Sequence, residues 1–528
     1  MLAGIWLVPP ASAAPGDLTF VSCMSDRTGS VGCDDLSPVA PANNSPLTLA
    51  SDVAVSPNGN AVYATGGQAV VHLFRDATSG AVAYDGCIGD FGNTNCTQTN
   101  GDRFKTFVDV EVRPTGGAVY AADGEANAVS HLFALPAGQL VYDGCVSDNG
   151  TSGLCADSPG SSLNTPLSMD SAPDGLNLYV PSLVGVITRY AVLPAGQLVF
   201  GSCVAGAGLA APECASLPAP AINGAVVVSV TPDGRSLYAS SFSGIDQFSI
   251  APGGALTWVS CLTTDQADRP GCGLMGGPPM DAGDIASDNE NVYLSSPSGI
   301  HHFRRDTATG ALTFADCVAR PGVAGCDGPS VASLRDASRL TLSADGGSLY
   351  ATSADSDSVM AFRRRSTGRL IFSGCWANTA VDGCVDLPGT PLDGATAAAV
   401  SPEGKTVYVV AGEANSISRF ARELADPIPP LTVDIDSKSK LKLKKLAATA
   451  TCSEACALTV EADGKAGKKF SSKPVTLNLT AGQATQVRIA LKKKLVRKLS
   501  GRKGQVTIGA TATAFGETAT DSDKSKLK

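Results

Sequence analysis

Ser56-Pro57-Asn58-Gly59-Asn60-Ala61-Val62-Tyr63 decides how the chain is read, because Thr231-Pro-Asp-Gly-Arg-Ser-Leu-Tyr238 and Ser401-Pro-Glu-Gly-Lys-Thr-Val-Tyr408 repeat it far downstream. Its tyrosine recurs as Tyr63, Tyr120, Tyr179, Tyr238, Tyr293, Tyr350 and Tyr408, 55 to 59 residues apart. A fixed period of that length marks supersecondary units too small to bury their own apolar faces, which stack to do so.

Within each unit four short runs alternate apolar and polar side chains, which predicts four strands, A to D. Strand A ends at a Pro-x-Gly hairpin turn, such as Pro57-Asn58-Gly59, whose glycine suits a positive φ. Strand B carries the tyrosine. Strand C contains Phe74, Phe133, Tyr190, Phe248, Phe303, Phe362 and Phe420, and strand D places an aromatic three residues before a cysteine. The seventh unit stops after strand C, while Gly16-Asp-Leu-Thr-Phe20-Val-Ser-Cys23 has the form of the D strand Gly310-Ala-Leu-Thr-Phe314-Ala-Asp-Cys317. The expected fold is therefore all-β, a seven-bladed β-propeller closed by an N-terminal D strand that completes the last blade, followed by a small β-sandwich.

Cysteine spacing repeats the count. Seven pairs each begin at the end of a D strand and finish 9 to 11 residues later: Cys23 with Cys33, Cys87 with Cys96, Cys145 with Cys155, Cys203 with Cys214, Cys261 with Cys272, Cys317 with Cys326 and Cys375 with Cys384. Cys452 and Cys456 stand in the tail. Zinc knuckles have shorter gaps, so disulfides pinning each D-to-A loop are the expectation, and with them an oxidising compartment. The apolar run Leu2 to Pro9 and Ala11-Ser12-Ala13 read as a signal peptide at 1–14, truncated or atypical because no lysine or arginine precedes it. No other stretch approaches the length of a membrane span.

The expected boundaries are a propeller at 15–421, a Pro-rich linker at 422–431, an Ig-like β-sandwich at 432–521 and a frayed tail at 522–528. From Leu431 onward there are 20 basic and 8 acidic residues, so a tail of about plus 12 follows a ring of about minus 21. Lys492, Lys493, Lys494, Arg497 and Lys498 form the densest basic patch, which could hold an anionic cell-envelope surface or simply keep the unit soluble. Aromatics are too few there for a nucleic-acid stacking platform.

Candidate site residues lie on strand A, which would line the central channel. Asp52, Asp109, Glu111, Asp170, Asp284 and Arg339 are the candidate channel ligands. The carboxylates could bind calcium, which wants several oxygen ligands, although no cofactor is required. His72, His131 and His302 occupy nearly the same strand C position, one or two residues before its aromatic, where solvent-facing side chains are expected. No nucleophile elbow, His-Glu-x-x-His motif or phosphate loop occurs.

The quoted units make residues 17 to 421 similar to the secreted YVTN-type seven-bladed propellers and to the lactonase-like propellers that include 6-phosphogluconolactonase relatives. In the lactonase branch the resemblance implies histidine, arginine and acidic side chains at the channel mouth; no catalytic residue carries over onto this chain. The tail resembles the lysine-rich β-sandwich modules of exported actinobacterial proteins. The resulting expectation is an extracellular binding or scaffolding module for a glycan, peptide or protein. Its alternative is a lactone or ester hydrolase with an acidic channel site.

Overall fold

Seven successive runs of alternating side chains form seven antiparallel sheets in a computed structural model. It describes residues 16–527 apart from 27–31, 37–45, 91–95, 100–103, 149, 151–153, 210, 220, 223, 282, 327, 329, 336, 381–382 and 515–516. The expected signal peptide lies outside the described residues. Two compact units make up the chain, Met1–Ile428 and Pro429–Lys528. No described helix is long and apolar enough to cross a membrane.

In the first sheet strand A is Ala50–Val55, B is Ala61–Gly66, C is Ala69–Arg75 and D is Val82–Gly89. The same order recurs in the sheets that begin at Phe107, Asp170, Ala225, Ile285, Ala337 and Ala395. The seventh takes its D strand from the other end of the unit: Leu18–Ser25 pairs antiparallel with Ser416–Arg422.

All eight predicted disulfides form. In the first unit Cys23 bonds to Cys33, Cys87 to Cys96, Cys145 to Cys155 and Cys203 to Cys214. Cys261 bonds to Cys272, Cys317 to Cys326 and Cys375 to Cys384, and in the second unit Cys452 bonds to Cys456. The bridges also explain an element beyond the four expected strands. The residues after the second cysteine of a pair, such as Cys96, are held beside strand D and add a short parallel strand, as Thr97–Gln98 does along Ile88–Gly89. Ala156–Ser158 after Cys155, Ala215–Ser216 after Cys214, Gly273–Leu274 after Cys272 and Val385–Asp386 after Cys384 do the same. After Cys326 the pairing shrinks to a single bridge, between Ala319 and Ser330.

The repeated tyrosine has one job at every seam between sheets. It is at most 1 % exposed in all seven, and its hydroxyl donates to the carbonyl of a glycine that precedes strand D of the next sheet. The acceptors are Gly138 for Tyr63 (2.9 Å), Gly196 for Tyr120 (2.8 Å), Gly254 for Tyr179 (2.8 Å) and Gly310 for Tyr238 (2.6 Å). Tyr293 reaches Gly368 (2.5 Å), Tyr350 reaches Gly16 (3.0 Å) and Tyr408 reaches Gly80 (2.6 Å). The last of these joins the seventh sheet to the first. Glycine is required at the acceptor because φ is positive and space is absent: a Cβ on Gly138 would meet that of Ala61 at 2.6 Å.

Four tyrosines also accept from an arginine at the end of a strand C, Arg305 Nε to Tyr238 (3.1 Å), Arg364 to Tyr293 (2.9 Å), Arg422 to Tyr350 (2.6 Å) and Arg75 to Tyr408 (2.7 Å). Each guanidinium then pairs with an acid in the A-to-B turn of the tyrosine's own sheet: Asp233, Asp288, Asp345 and Glu403 respectively.

Three expectations fail here. His72, His131 and His302 are 2, 3 and 1 % exposed rather than solvent-facing. Each ring lies over its sheet's tyrosine, with centroids 5.6, 5.7 and 5.0 Å apart. Its Nδ1 lies 3.1, 3.1 and 3.2 Å from Asp85, Asp143 and Asp316 on strand D. The next sheet's C-to-D turn glycine lies against the ring, as Gly138 does against His72 and Gly196 against His131, so polarity at this position is no sign of exposure. Next, the strand C aromatics, read as one repeated packing position, are not equivalent: Phe74 and Phe133 do not share the buried place of Tyr190. Leu73 and Leu132 take it, and a one-residue offset in a strand leaves the phenylalanines 48 and 38 % exposed. Finally, the linker expected at 422–431 is bonded into the first unit as far as Ile428, whose N–H reaches Arg364 O (2.7 Å) and whose carbonyl accepts from Ser366 (2.8 Å).

The second unit packs two sheets on one apolar core that includes Ile435, Leu446, Leu458, Val460, Val487 and Ile508. The smaller sheet orders Val433–Ser437, Leu446–Cys452 and Thr485–Ile489; the larger orders Lys440–Leu441, Glu517–Leu527, Gly504–Ala514, Cys456–Ala466 and Lys468–Ser471. The end at 522–528 is not frayed through 527. It belongs to a strand, and Leu527 is 4 % exposed. Carboxylates of that strand seal the free edge of the first: Glu517 accepts from Leu431 N–H (2.9 Å), Asp521 from Ile435 (2.8 Å) and Asp523 from Ser437 (2.8 Å). The lysine run forms a short helix, Lys493–Leu499, anchored by buried Leu499.

Candidate functional site

Strand A is the edge of every sheet, so its outward N–H groups need acceptors from elsewhere. At four seams a carboxylate from the preceding sheet supplies one. Asp52 accepts from Val110 N–H (2.9 Å), Asp109 from Met169 (2.5 Å), Asp170 from Val230 (2.6 Å) and Asp284 from Leu340 (2.6 Å). Hydroxyls tie the other three: Ser229 to Ser287 (2.9 Å), Thr341 to Ala398 O (2.6 Å) and Thr396 to Ala50 O (2.9 Å). A second set of ties thus runs along the A strands and again returns from the seventh sheet to the first.

These strands enclose a cavity of about 320 Å³ lined from all seven sheets. All six predicted channel residues, Asp52, Asp109, Glu111, Asp170, Asp284 and Arg339, line it. Arg339, on the sixth sheet, reaches across to the second, where Nη2 donates to Val108 O (3.0 Å) and Asp109 Oδ1 (3.3 Å); Nη1 lies 3.6 Å from Asp284 Oδ1. Burial opposes the guanidinium charge, but Asp109, Asp52 and Asp284 outweigh it and hold the arginine charged.

The carboxyls move the other way. Burial, then the charge of Asp52, pushes Asp109 well above the usual carboxylate range, with Arg339 opposing. Burial and the neighbouring Asp170 do the same to Glu111. Asp170 is pushed up to about 7, chiefly by burial, against the N–H groups of Val230 and Ser171. Burial also raises Asp284, with Arg339 opposing. Glu111 and Asp170 keep some exposure to channel water, which moderates the effect. The arrangement is a narrow polar cavity with protonatable carboxyls and one fixed cation. Among the described residues, no three His, Cys, Asp or Glu side chains converge as a metal site, so the calcium expectation gains no support from this geometry.

The sequence placed these residues on the channel but missed their seam role, which no local pattern encodes because each acceptor's partner is a backbone N–H on the next sheet. The buried His–Asp pairs were also missed, although the aspartates stand 12 to 14 residues after each histidine. Burial lowers the pKa of His72 and His131, with Asp85 and Asp143 opposing.

No protein-family model matches the chain, and no curated protein matches it significantly. Among solved structures it is similar to hydrazine synthase of Kuenenia stuttgartiensis, at 14 % identity and a TM-score of 0.45, over 73 % of this chain and 97 % of that one. A putative 6-phosphogluconolactonase from Bacteroides uniformis gives 18 % and 0.43, over 67 and 89 %. The Cps50 (Swd1) beta-propeller domain of Myceliophteria thermophila gives 10 % and 0.45, over 71 and 96 %. Likeness at this level carries no argument about chemistry.

Proposed function

We propose that the seven sheets are the blades of a closed seven-bladed β-propeller that works outside the cytosol as a binding module, followed by an Ig-like sandwich. The two returning sets of seam ties support the closure. Eight disulfides support the compartment.

One observation carries the binding role. Antiparallel order puts the disulfide-pinned D-to-A loops and the B-to-C turns on the same rim, and adjoining loops of the third and fourth sheets expose a group of large apolar side chains there. Leu183 and Val184, Leu209 and Phe242 are 37, 38, 41 and 52 % exposed. A Cβ on Gly185 would meet Leu209 at 3.3 Å, and Gly224 lies directly under the Phe242 ring. Apolar groups gathered on preordered loops favour a peptide or protein ligand, with a sugar face stacking on Phe242 as the glycan version. Arrays of extracellular peptides, proteins and glycans, probed with the wild type and with Leu209→Ser/Phe242→Ser, test this. Ligands captured by the wild type and lost by the variant support it; equal capture by both overturns it.

A second reading follows from Asp170, whose carboxyl near neutrality suits general acid–base work in a lactone or ester hydrolase. Turnover of a lactone panel that disappears in Asp170→Asn would favour it. Turnover that persists in that variant would remove it.

A further inference from the structure

Strand register in the second unit brings together lysines that the sequence keeps far apart. In the larger sheet Lys440 is paired with Lys526, Lys526 with Gln505, Gln505 with Lys465, and Lys465 with Lys469. Residues directly opposite share a face, so the five side chains, all exposed, form one row straight across five strands. At the usual strand spacing the row is about 19 Å long. Four of its five members are lysines. Two residues further along the strands the corresponding row, Lys524, Thr507, Asp463 and Ser471, carries one positive and one negative charge.

Like charges placed directly opposite destabilise a sheet. No carboxylate enters the row, and none of its lysines forms an ion pair among the described residues. The strand Gly504–Ala514 enters this edge from the basic helix, and Arg502 lies against Gly467 in the adjoining hairpin, where a Cβ would meet its Nη1 at 2.6 Å. Lys492, Lys493, Lys494, Arg497, Lys498 and Lys503, all exposed, therefore extend the positive charge at this end of the sheet.

We propose that this row is a docking track for a linear phosphodiester polymer that carries no bases, laid across the strands with successive phosphates meeting successive lysines. Ammonium groups act as point charges toward phosphate without requiring a fixed fork geometry. A bilayer is the poorer fit, because among the described residues of this unit no large apolar side chain is exposed for insertion. Nucleic acid is also poorer, because Phe470, the unit's one described aromatic, is 6 % exposed and offers no stacking platform.

The test titrates the full chain with synthetic poly(glycerol phosphate), using hyaluronate, oligothymidylate and phosphatidylglycerol vesicles as alternative anions. The row variant is Lys440→Gln, Lys465→Gln, Lys469→Gln and Lys526→Gln; the control removes equal charge elsewhere through Lys444→Gln, Lys445→Gln, Lys473→Gln and Arg488→Gln. With about four phosphates engaged, log K should fall against log salt with a slope of about −3, the row variant should lose at least about tenfold in affinity, and the control less than about threefold. Without polymer the row variant should melt no lower than the wild type at low salt, since lysine repulsion is relieved. Should the quadruple variant not fold, Lys465→Gln and Lys526→Gln singly should each lose about threefold. Equal losses in row and control, no binding by the wild type, or binding of any alternative anion as tight as that of the phosphate polymer overturns the proposal.

Discussion

The seams between the seven sheets fall into two arcs. From the fourth sheet through the seventh and on to the first, every tyrosine accepts from an arginine that also pairs with a turn carboxylate; between the first and fourth sheets Ala134, Val192 and Ile250 stand where those arginines would be, and among the described residues Arg113 and Arg189 instead cross to the backbone carbonyls of Gly175, Pro194 and Gly253. The same tyrosine–glycine bond is thus made in two settings. The reinforced arc contains both seams of the seventh sheet, the one assembled from distant pieces of chain. A closure that must draw its parts together over the longest loop carries the ties in which one arginine joins a tyrosine to a carboxylate.

The largest effect should come from the closing strand. Deleting residues 16–25 removes the seventh sheet's half-buried D strand, the Tyr350 acceptor and the Cys23–Cys33 disulfide, and should lower the calorimetric melting temperature by at least about 5 °C or abolish a cooperative transition. An unchanged melt would show that the reinforced arc does not depend on closure.

Arg422→Met should come next. It leaves Asp345 without its guanidinium and Tyr350 without its donor, for an expected loss of about 2 to 3 kcal/mol in chemical denaturation after discounting for the partial exposure of Asp345.

Tyrosine-to-phenylalanine changes sharpen the contrast. Tyr63→Phe removes one buried hydrogen bond and should cost about 1 kcal/mol, whereas Tyr350→Phe also strands Arg422 Nε and should cost about 2 kcal/mol. Equal costs would mean the arginines contribute nothing at the seams.

The smallest effect is a pH profile with two opposing limbs. At Asp345 burial opposes ionisation, yet Arg422, Ser343 and the Gly347 N–H outweigh it and bring the pKa to about 2; Asp233, Asp288 and Glu403 are lowered by similar partners against burial. A lowered folded pKa gives stability that is present above the unfolded value, about 3.9, and lost as pH falls toward 2. Asp170, raised to about 7, contributes in the opposite sense, giving stability below its unfolded value that is lost as pH rises toward 7. Melting temperature should therefore peak at about pH 4 to 5, and Asp170→Asn should flatten the descending side. A wild-type plateau through pH 7 would contradict the raised carboxyl.

The repeat, the turn glycines, the donated D strand and the disulfide pairing were legible because each is written locally, as a spacing or a residue type. The seam partners were not. Tyr63 meets Gly138 and Asp52 meets Val110 only after neighbouring sheets pack; the acceptor's glycine looks like that of any tight turn, and the Val110 N–H leaves no signature in residue identity. His72 misled because a polar residue on an alternating strand looks wet until the next sheet covers it. Ser522 to Leu527 misled because a Lys/Asp/Ser string looks disordered, although Ser525 and Leu527 face inward at every second place and the aspartates cap a neighbouring edge.

The pairing of Leu18 with Arg422 also has a kinetic meaning. Six sheets can be completed from contiguous chain, so their formation is governed by local search. The seventh cannot be completed until segments some four hundred residues apart meet, and contacts of that separation are the slow ones. While they remain apart, Ser416–Arg422 carries an open hydrogen-bonding edge able to pair with another molecule, the state in which multi-sheet proteins aggregate. Yield on refolding should thus be set by the lifetime of that one unfilled edge, and a soluble peptide spanning residues 16–25, added in excess during refolding of the deleted chain, should restore it.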